Sequence, residues 1–274
     1  MRYLGVSRAE TFSPNRVSGD DAIFRAVASE LERNGHEVVC MSEHELAQTG
    51  LPANIDGIFQ MARSREALTL LERADVPVTN TVQAVKNCAR ATQTELLSGL
   101  GLIPESVVCP TSGVPDGWHC FPCWIKRADS HAVESDDVQY VENAEQCALA
   151  MRGFAGRGLD TCVLQAHAKG WLVKFYGVRG AGLVDCYAAH ATDGKFGLER
   201  FNEQRDCASV DVHALSAAAE RASDLLGLDV YGGDAVIGSD GSVTIVDMND
   251  WPSFRSCTVG AAQKIATFII NRSK

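Results

Sequence analysis

Near the C-terminus the sequence places oxygen-bearing side chains where two strands would bring them together. Asp234 follows Gly232-Gly233 near the start of one β-branched run, and Asp247 and Asn249 close the next, Val243-Thr-Ile-Val-Asp-Met-Asn249. The Ser239-Asp240-Gly241 turn between the runs predicts a hairpin. Residues two apart in an extended strand share a face, so Asp247 and Asn249 point the same way and pairing across the turn brings Asp234 beside them. Such a set of oxygens suits a hard cation, Mg²⁺ or Mn²⁺, whose other ligands are water and phosphate oxygens. The alternative is three solvated strand-end residues. The apolar Thr-Ile-Val before Asp247 weighs against it, because an unpaired carboxylate beside a core is costly. Lys126 closes the apolar Phe121-Pro-Cys-Trp-Ile run, and Lys174 sits inside Gly170-Trp-Leu-Val-Lys-Phe-Tyr-Gly177. A charged head in such strands must find a partner or reach water. Either lysine alone is an ordinary strand residue; with the acidic hairpin they form a phosphate-plus-metal set.

The elements that must position these groups follow from periodicity. Tyr3–Val6, His36–Met41, Ile55–Gln60 and Val76–Asn80 read as strands, with helices over Asp20–Asn34 and Ser64–Arg73. Strands alternating with helices imply a parallel sheet, with ligands at the strands' carboxyl ends. Those ends are Ser7-Arg8, Ser42-Glu43 and Met61-Ala62-Arg63, and Ser13-Pro14-Asn15-Arg16 is a candidate substrate loop beside them. No Gly-x-Gly-x-x-Gly follows the first strand, which excludes a dinucleotide fingerprint. Beyond Val82 the alternation lapses. Helices are expected over Thr92–Gly99, Ala144–Arg152 and Ala214–Leu226, and strands at Val107, Trp124–Lys126, Val163–Gln165 and Val173–Val178. The hairpin Gly232–Ile237/Val243–Met248 comes last. The fold class is therefore α/β followed by an α+β body.

The 274 residues are 46% hydrophobic and 22% charged, which suits a chain that buries a core in one large or a few modest domains. A net charge of −10 with no Lys/Arg cluster excludes a nucleic-acid partner, since polyanion binding rests on many phosphate contacts. An anionic small molecule stays open, because local pocket charge can oppose the overall sign. The apolar stretch Ala261–Ile270 is too short to span a bilayer, so no membrane role is expected. Met1–Val6 runs at once into Ser7, Arg8 and Glu10 and reads as a strand, not a signal peptide, so the expected location is cytoplasmic. The ten cysteines then read as reduced core thiols. Cys120-Phe-Pro-Cys123 has metal-like spacing, but no second pair stands at zinc-site distance.

The order of a helix-opening cation at Arg90, a strand lysine at Lys126, Gln165-Ala-His167, a Gly-x-x-x-Lys strand, and Gly-Gly-Asp…Val-Asp-Met-Asn resembles the ATP-grasp superfamily over nearly the whole chain. Within it the sequence is similar to the ribosomal-protein-glutamate ligase and glutathione synthetase branch, and to the inositol trisphosphate 5/6-kinase branch. The resemblance implies an N-terminal α/β domain over residues 1–82, a small lid domain over 83–165 and a metal-binding C-terminal α+β domain over 166–274, with ATP between the last two. It implies that Arg90 and Lys126 meet the phosphates, and that Gln165, Ala166, His167 and Ala168 form a hinge whose backbone meets adenine. Lys174 would reach the nucleotide or the phosphoryl group in flight, and Asp234, Asp247 and Asn249 would hold the ion. Three positions depart from the family pattern. Arg90 stands where a lysine is usual, Trp171 where an acidic ribose contact is common, and the lid segment Arg127–Glu134 is not rich in glycine.

Substrate candidates are more open. His131 is either a lid histidine meeting substrate or an exposed loop residue. Arg200 and Asn202 resemble a ligase strand carrying a transition-state cation and a polar neighbour, or belong to a solvated loop. Arg8, Ser253 and Arg255 are placed to meet an acceptor, and His167 serves either hinge or acceptor. The implied partner is a small-molecule acceptor, with an amine as second substrate, and a homodimer is compatible. If the acceptor is a carboxylate the chain is a carboxylate–amine ligase; if a hydroxyl, a small-molecule kinase. A nucleotide-binding protein without turnover is the third reading. The ligase is preferred, because most of the superfamily ligates.

Overall fold

The alternation of the first eighty residues folds into a parallel sheet. β1 (Arg2–Ser7) lies between β2 (Glu37–Ser42) and β3 (Gly57–Gln60), and β4 (Val78–Thr79) extends the sheet beyond β3. Every pairing is parallel, so each connection must cross over a face, and α1 (Val17–Arg33), α2 (Glu43–Thr49) and α3 (Arg65–Leu71) do so. α1 buries Ile23, Phe24, Val27, Ala28 and Leu31 along one stripe. Gly35, at a φ of +81° that side chains disfavour, turns the chain after it. The sheet order β2-β1-β3-β4 reverses direction between β1 and β3, so the loops leaving those two strands diverge and open a crevice at their ends. The structure, a computed structural model, describes residues 1–13, 17–130, 134–189, 198–203 and 210–274. Residues 14–16 of the expected substrate loop, and His131 of the lid, lie outside the described residues.

α4 (Val82–Asn87) and α5 (Arg90–Leu97) lead to a second sheet. Its strands, β5 (Ser106–Pro110), β6 (Cys123–Arg127), β7 (Val138–Val141) and β8 (Thr161–Ala166), run antiparallel in the order β5-β8-β6-β7, with α6 (Ala144–Gly156) packed against them. Cys109, Cys123, Cys147 and Cys162 fill its core as free thiols beside Ile125, Phe154 and Leu164. The third sheet joins β9 (Trp171–Val178), β10 (Gly182–Ala188), β11 (Val230–Ile237) and β12 (Val243–Asp250) in the order β10-β9-β11-β12. α7 (Val212–Leu226) buries Leu215, Ala219, Ala222 and Leu226 in one core with Phe175, Tyr231 and Met248 from that sheet. The expected α/β start and α+β body are thus both present. No helix among the described residues is long and apolar enough to cross a membrane.

The first and last parts of the chain share a core. α8 (Thr258–Arg272), the stretch read above only as apolar, packs Ala261, Ala262, Ile265, Ala266 and Ile269 against Ile23, Phe24, Val27 and Leu31 of α1. A second tie runs through Asn80, which is fully buried. Its side-chain oxygen accepts from the backbone N–H of Asp229 and of Val230, both at 2.8 Å, and its amide donates to the Val230 carbonyl at 2.7 Å. Gln60 of β3 in turn donates to the Asn80 carbonyl at 2.8 Å. One amide thus anchors the start of β11 to the parallel sheet. Asn80→Ala strands two buried N–H groups and is expected to lower unfolding stability by about 3 kcal/mol in urea titration. A loss below about 1 kcal/mol would show that the tie carries little.

Candidate active site

Strand register builds the centre of the site. Lys174 of β9 stands directly opposite Asp234 of β11, and Asp234 directly opposite Asp247 of β12. Asn249 pairs with Gly232, two residues along, and so shares their face. The register slips between Asp234 and Ala235, which pairs with Ile245, leaving Val246 as the extra residue of a bulge beside the acids. The two glycines before Asp234 are needed for close approach. A Cβ on Gly233 would overlap the Asp247 carbonyl oxygen, and one on Gly232 would lie 2.8 Å from the Pro252 ring. β12 is an edge strand, and α5 covers it. The Gln93 amide donates to the Met248 carbonyl at 2.7 Å and accepts from the Met248 N–H at 3.1 Å, fixing the strand that bears Asp247 and Asn249.

The cations are disposed around this row. Lys174 Nζ donates to Asp234 Oδ1 at 3.0 Å and lies 3.5 Å from Glu199 Oε1. Burial pulls the Lys174 pKa down, but Asp234 and then Glu199 outweigh it and hold the ammonium above its ordinary value. Arg90, buried at the start of α5, has Nε 3.8 Å from Asp247 Oδ1 and donates to the Ser130 carbonyl at 3.3 Å. Lys126 crosses from the second sheet to the third, donating to Gln165 Oε1 at 2.7 Å and to the Val246 carbonyl at 2.9 Å. Both acceptors are neutral, so burial dominates and lowers the Lys126 pKa to about 8, with Asp247 opposing. Lys126, Lys174, Arg90, Asp234, Asp247 and Asn249 all line one cavity of about 740 Å³ where the three sheets meet.

The other expected residues divide. Arg8, Gln165, His167, Ala168, Asn202 and Ser253 line the same cavity. Ala166, Arg200 and Arg255 do not: Arg200 is exposed, its guanidinium 4.9 Å from the Phe201 ring centre, and Arg255 is exposed too. The hinge differs from expectation in its donors, because the N–H groups of Ala166 and His167 are given to the carbonyls of Glu105 and Pro122. The Gln165 side chain grips Lys126, and the Asn202 amide spans the carbonyls of Ala168 and Gly170 at 3.3 and 3.4 Å. Trp124 donates its indole N–H to His167 Nδ1 at 3.2 Å, and burial lowers the His167 pKa. Trp124 and His167 thus form an aromatic wall at this end of the cavity, backed from outside the lining by Tyr140, which stacks on Phe201 at 4.3 Å. Trp171 turns into the core under the sheet and makes no part of the lining.

Six charged lining residues are not among the expected site residues: Asp20, Arg63, Arg127, Asp129, Glu199 and Asp250. Arg8 donates to Asp20 at 3.0 Å and Arg63 to Asp250 at 2.7 Å, each pair largely buried. Burial first, then the neighbouring Arg63, lowers the Arg8 pKa to about 10 against the pull of Asp20, Asp250 and Glu43. Nothing local in the sequence marks these pairs, since their partners lie on different elements.

The donor set fits a divalent ion bound to a polyphosphate. Among the described residues no three His, Cys, Asp or Glu side chains form a metal cluster, so an ion here would rest on two carboxylates and the Asn249 amide. That is the sparse oxygen set Mg²⁺ accepts when phosphates and waters complete its shell. Lys126, a buried ammonium held by neutral acceptors, is matched to an incoming anion. Lys174→Met leaves Asp234 and Glu199 without their shared cation, and is expected to cost about 3 kcal/mol of stability in the free protein, read by chemical denaturation. An unchanged midpoint would mean the pair is already solvated.

No protein-family model matches the sequence, and no curated protein resembles it significantly. Solved structures do. D-alanine–D-alanine ligase from Bacillus anthracis complexed with ATP superposes with a TM-score of 0.72 at 14% identity, over 100% of this chain and 97% of that one. A RimK domain ATP-grasp protein from Sphaerobacter thermophilus gives 0.70 at 20% identity over 98% and 100%. The ATP-grasp ligase PsnB complexed with precursor peptide PsnA2 and AMPPNP gives 0.66 at 16% over 100% and 97%. Sheet by sheet and along its whole length, this chain has the ATP-grasp fold.

Proposed function

We propose that the chain is an ATP-dependent carboxylate–amine ligase acting on small-molecule substrates. The observation that carries this reading is the row Lys174–Asp234–Asp247, facing a cavity that also receives the buried Lys126 and Arg90. In this reading residues 83–165 and 166–274 are the two domains that enclose the nucleotide, and residues 1–82 form the domain that completes the acceptor end. Lys126 and Arg90 bind the phosphates. Trp124 and His167 flank the base at the aromatic end, with hinge contacts made by groups other than the engaged N–H groups of Ala166 and His167. Asp234, Asp247 and Asn249 hold Mg²⁺, which when bound neutralises phosphate charge. Lys174 meets the phosphoryl group as it moves. Arg200, exposed and outside the lining, has no part in it.

Phosphoryl transfer asks the protein for positioning and charge neutralisation more than for covalent help. A substrate carboxylate oxygen attacks the γ-phosphorus, ADP leaves, and an acylphosphate forms. The amine nitrogen then attacks the acyl carbon, phosphate departs, and the amine loses a proton. Buried cations fixed before the reaction supply this stabilisation without reorganising. Ligation is favoured over a reaction that stops at a phosphate ester by the fold neighbours described as ligases, and by the internal pairing of Arg8 and Arg63, which leaves no cluster of free cations among the described residues for a polyphosphorylated acceptor.

Purified protein with Mg-ATP is expected to release ADP and form an amide with amino-acid pools; stimulation by polyols alone would support a kinase, and silence with both a non-catalytic binder. Asp247→Asn is expected to lower kcat/KM for ADP release by about a thousandfold or more with an unchanged melting curve, since several kcal/mol of charge stabilisation are withdrawn. Undiminished release would overturn the assignment. A second check uses proton linkage. Lys126 has a pKa of about 8 in the free protein, below its ordinary value, and an anion beside it favours the charged form. Nucleotide binding at pH 8 should therefore take up about half a proton, an uptake that fades toward pH 6 where Lys126 is already charged. Calorimetry in two buffers of different ionisation enthalpy reads it, and Lys126→Met should abolish it.

A further inference from the structure

The end of the cavity away from the aromatic wall is built at the switch point of the first sheet, by the loops leaving β1 and β3 and by the end of β12. Five acidic and basic side chains gather there: Arg8, Asp20, Glu43, Arg63 and Asp250. Arg8 is used up internally, donating to the Met61 carbonyl at 3.1 Å, to Asp20 at 3.0 Å and to the Trp251 carbonyl at 3.3 Å. Asp20 also accepts from the Ser13 hydroxyl at 2.6 Å. Glu43 is held by the backbone N–H groups of Ala9, Arg63 and Ser64. Arg63 donates to the Ala62 carbonyl at 3.0 Å and to Asp250 Oδ1 at 2.7 Å.

What is left over is Asp250 Oδ2. The residue is 2% exposed and lines the cavity, yet this oxygen has no hydrogen-bonding partner among the described residues. Among the described residues of this cluster two arginines, Arg8 and Arg63, stand against three acidic side chains, Asp20, Glu43 and Asp250. Trp251, the next residue, turns its ring into the core beside Phe59. A buried, unsatisfied carboxylate oxygen is costly in the free protein, and a ligand carrying a cationic donor relieves it.

We infer that this corner recognises an ammonium group through Asp250, so that one substrate carries an amine and Asp250 sets the specificity for it. The two arginines, which look at first like a carboxylate trap, serve instead to hold Asp20 and Asp250 in place. This deepens the ligase reading and rests on it for the reaction, though not for the binding.

The test is therefore a binding measurement, separate from turnover. The proteinogenic amino acids and D-alanine are titrated calorimetrically into the full chain with Mg²⁺ and a non-hydrolysable ATP analogue, each against its matching 2-hydroxy acid. The inference expects at least one amino acid to bind about a hundredfold more tightly than its hydroxy counterpart, because a buried group left unpaired rejects the analogue that lacks its partner. It expects Asp250→Asn to shrink that ratio below about tenfold while ATP affinity holds. Equal binding of the two classes, or binding of neither, overturns it. If Asp250→Asn does not fold, judged by its thermal melt, the wild-type ratio decides alone. Discrimination without ADP release overturns the ligase reading and leaves this inference standing; ADP release without discrimination does the reverse.

Discussion

The site depends on a register. Antiparallel pairing of β9, β11 and β12 sets Lys174, Asp234 and Asp247 in one line across the sheet, and a slip of one residue in any strand would turn its member of the line to the opposite face. Everything that fixes the register therefore acts on the chemistry. The hairpin turn at Asp240-Gly241 joins β11 to β12, with Gly241 at a φ of +83°. The glycines at 232 and 233 admit the neighbouring backbone and ring, and Gln93 clamps the outer edge through both backbone groups of Met248. Asn80 fixes where β11 begins. These residues act on the backbone of the strands that carry the row, and so decide where the row points.

Around that line the charges are arranged so that those near the aromatic wall and those near the switch point do different work. Lys126 is buried on neutral acceptors, and its depressed pKa of about 8 measures the cost of keeping it charged without an anion. Arg8 and Arg63 are tied to Asp20 and Asp250 at 3.0 and 2.7 Å. A buried pair has little remaining attraction for an outside ion, because its field is largely cancelled. The cavity thus offers positive charge held by neutral partners at one end and a carboxylate oxygen without a hydrogen-bonding partner among the described residues at the other. Overall acidity, −10 across the chain, would not have revealed that polarity.

How much of this was legible in the sequence depended on the range of the interaction. The hairpin acids were readable because turn chemistry and two-residue alternation are local, and the register pairs Asp234 with Asp247 as that alternation requires. The parallel sheet followed from spacing alone. α2 carried a readable signal that went unused: Ser42-Glu43-His44-Glu45 is a capping box, and the Ser42 hydroxyl does accept from the Glu45 N–H. β10, by contrast, is half-buried throughout and shows no clean alternation of burial along its length. Of the expected hinge, Gln165, His167 and Ala168 line the cavity. The partners of its N–H groups and of the Gln165 side chain, Glu105, Pro122 and Lys126, are distant in sequence and could not be read from it. Arg63 and Asp250 are 187 positions apart, and no window-based pattern can join them.

The Lys174–Asp234 bond explains how such a site can exist before its ligands arrive. Two like carboxylates directly opposite on adjacent strands repel one another, and the lysine on the third strand offsets that repulsion. Arg90, 3.8 Å from Asp247, does the same from the α5 side. In the proposed reaction the two cations are also the groups that phosphate oxygens would attract. Each acid loses its protein partner only as a new positive charge becomes available to it, and each cation leaves only for another anion. The exchange keeps the number of buried charges matched throughout, so the desolvation cost of the site is met mainly on folding and not again when substrate binds. That is a physical reason for the lysine and the acid to share one line of the sheet instead of standing apart.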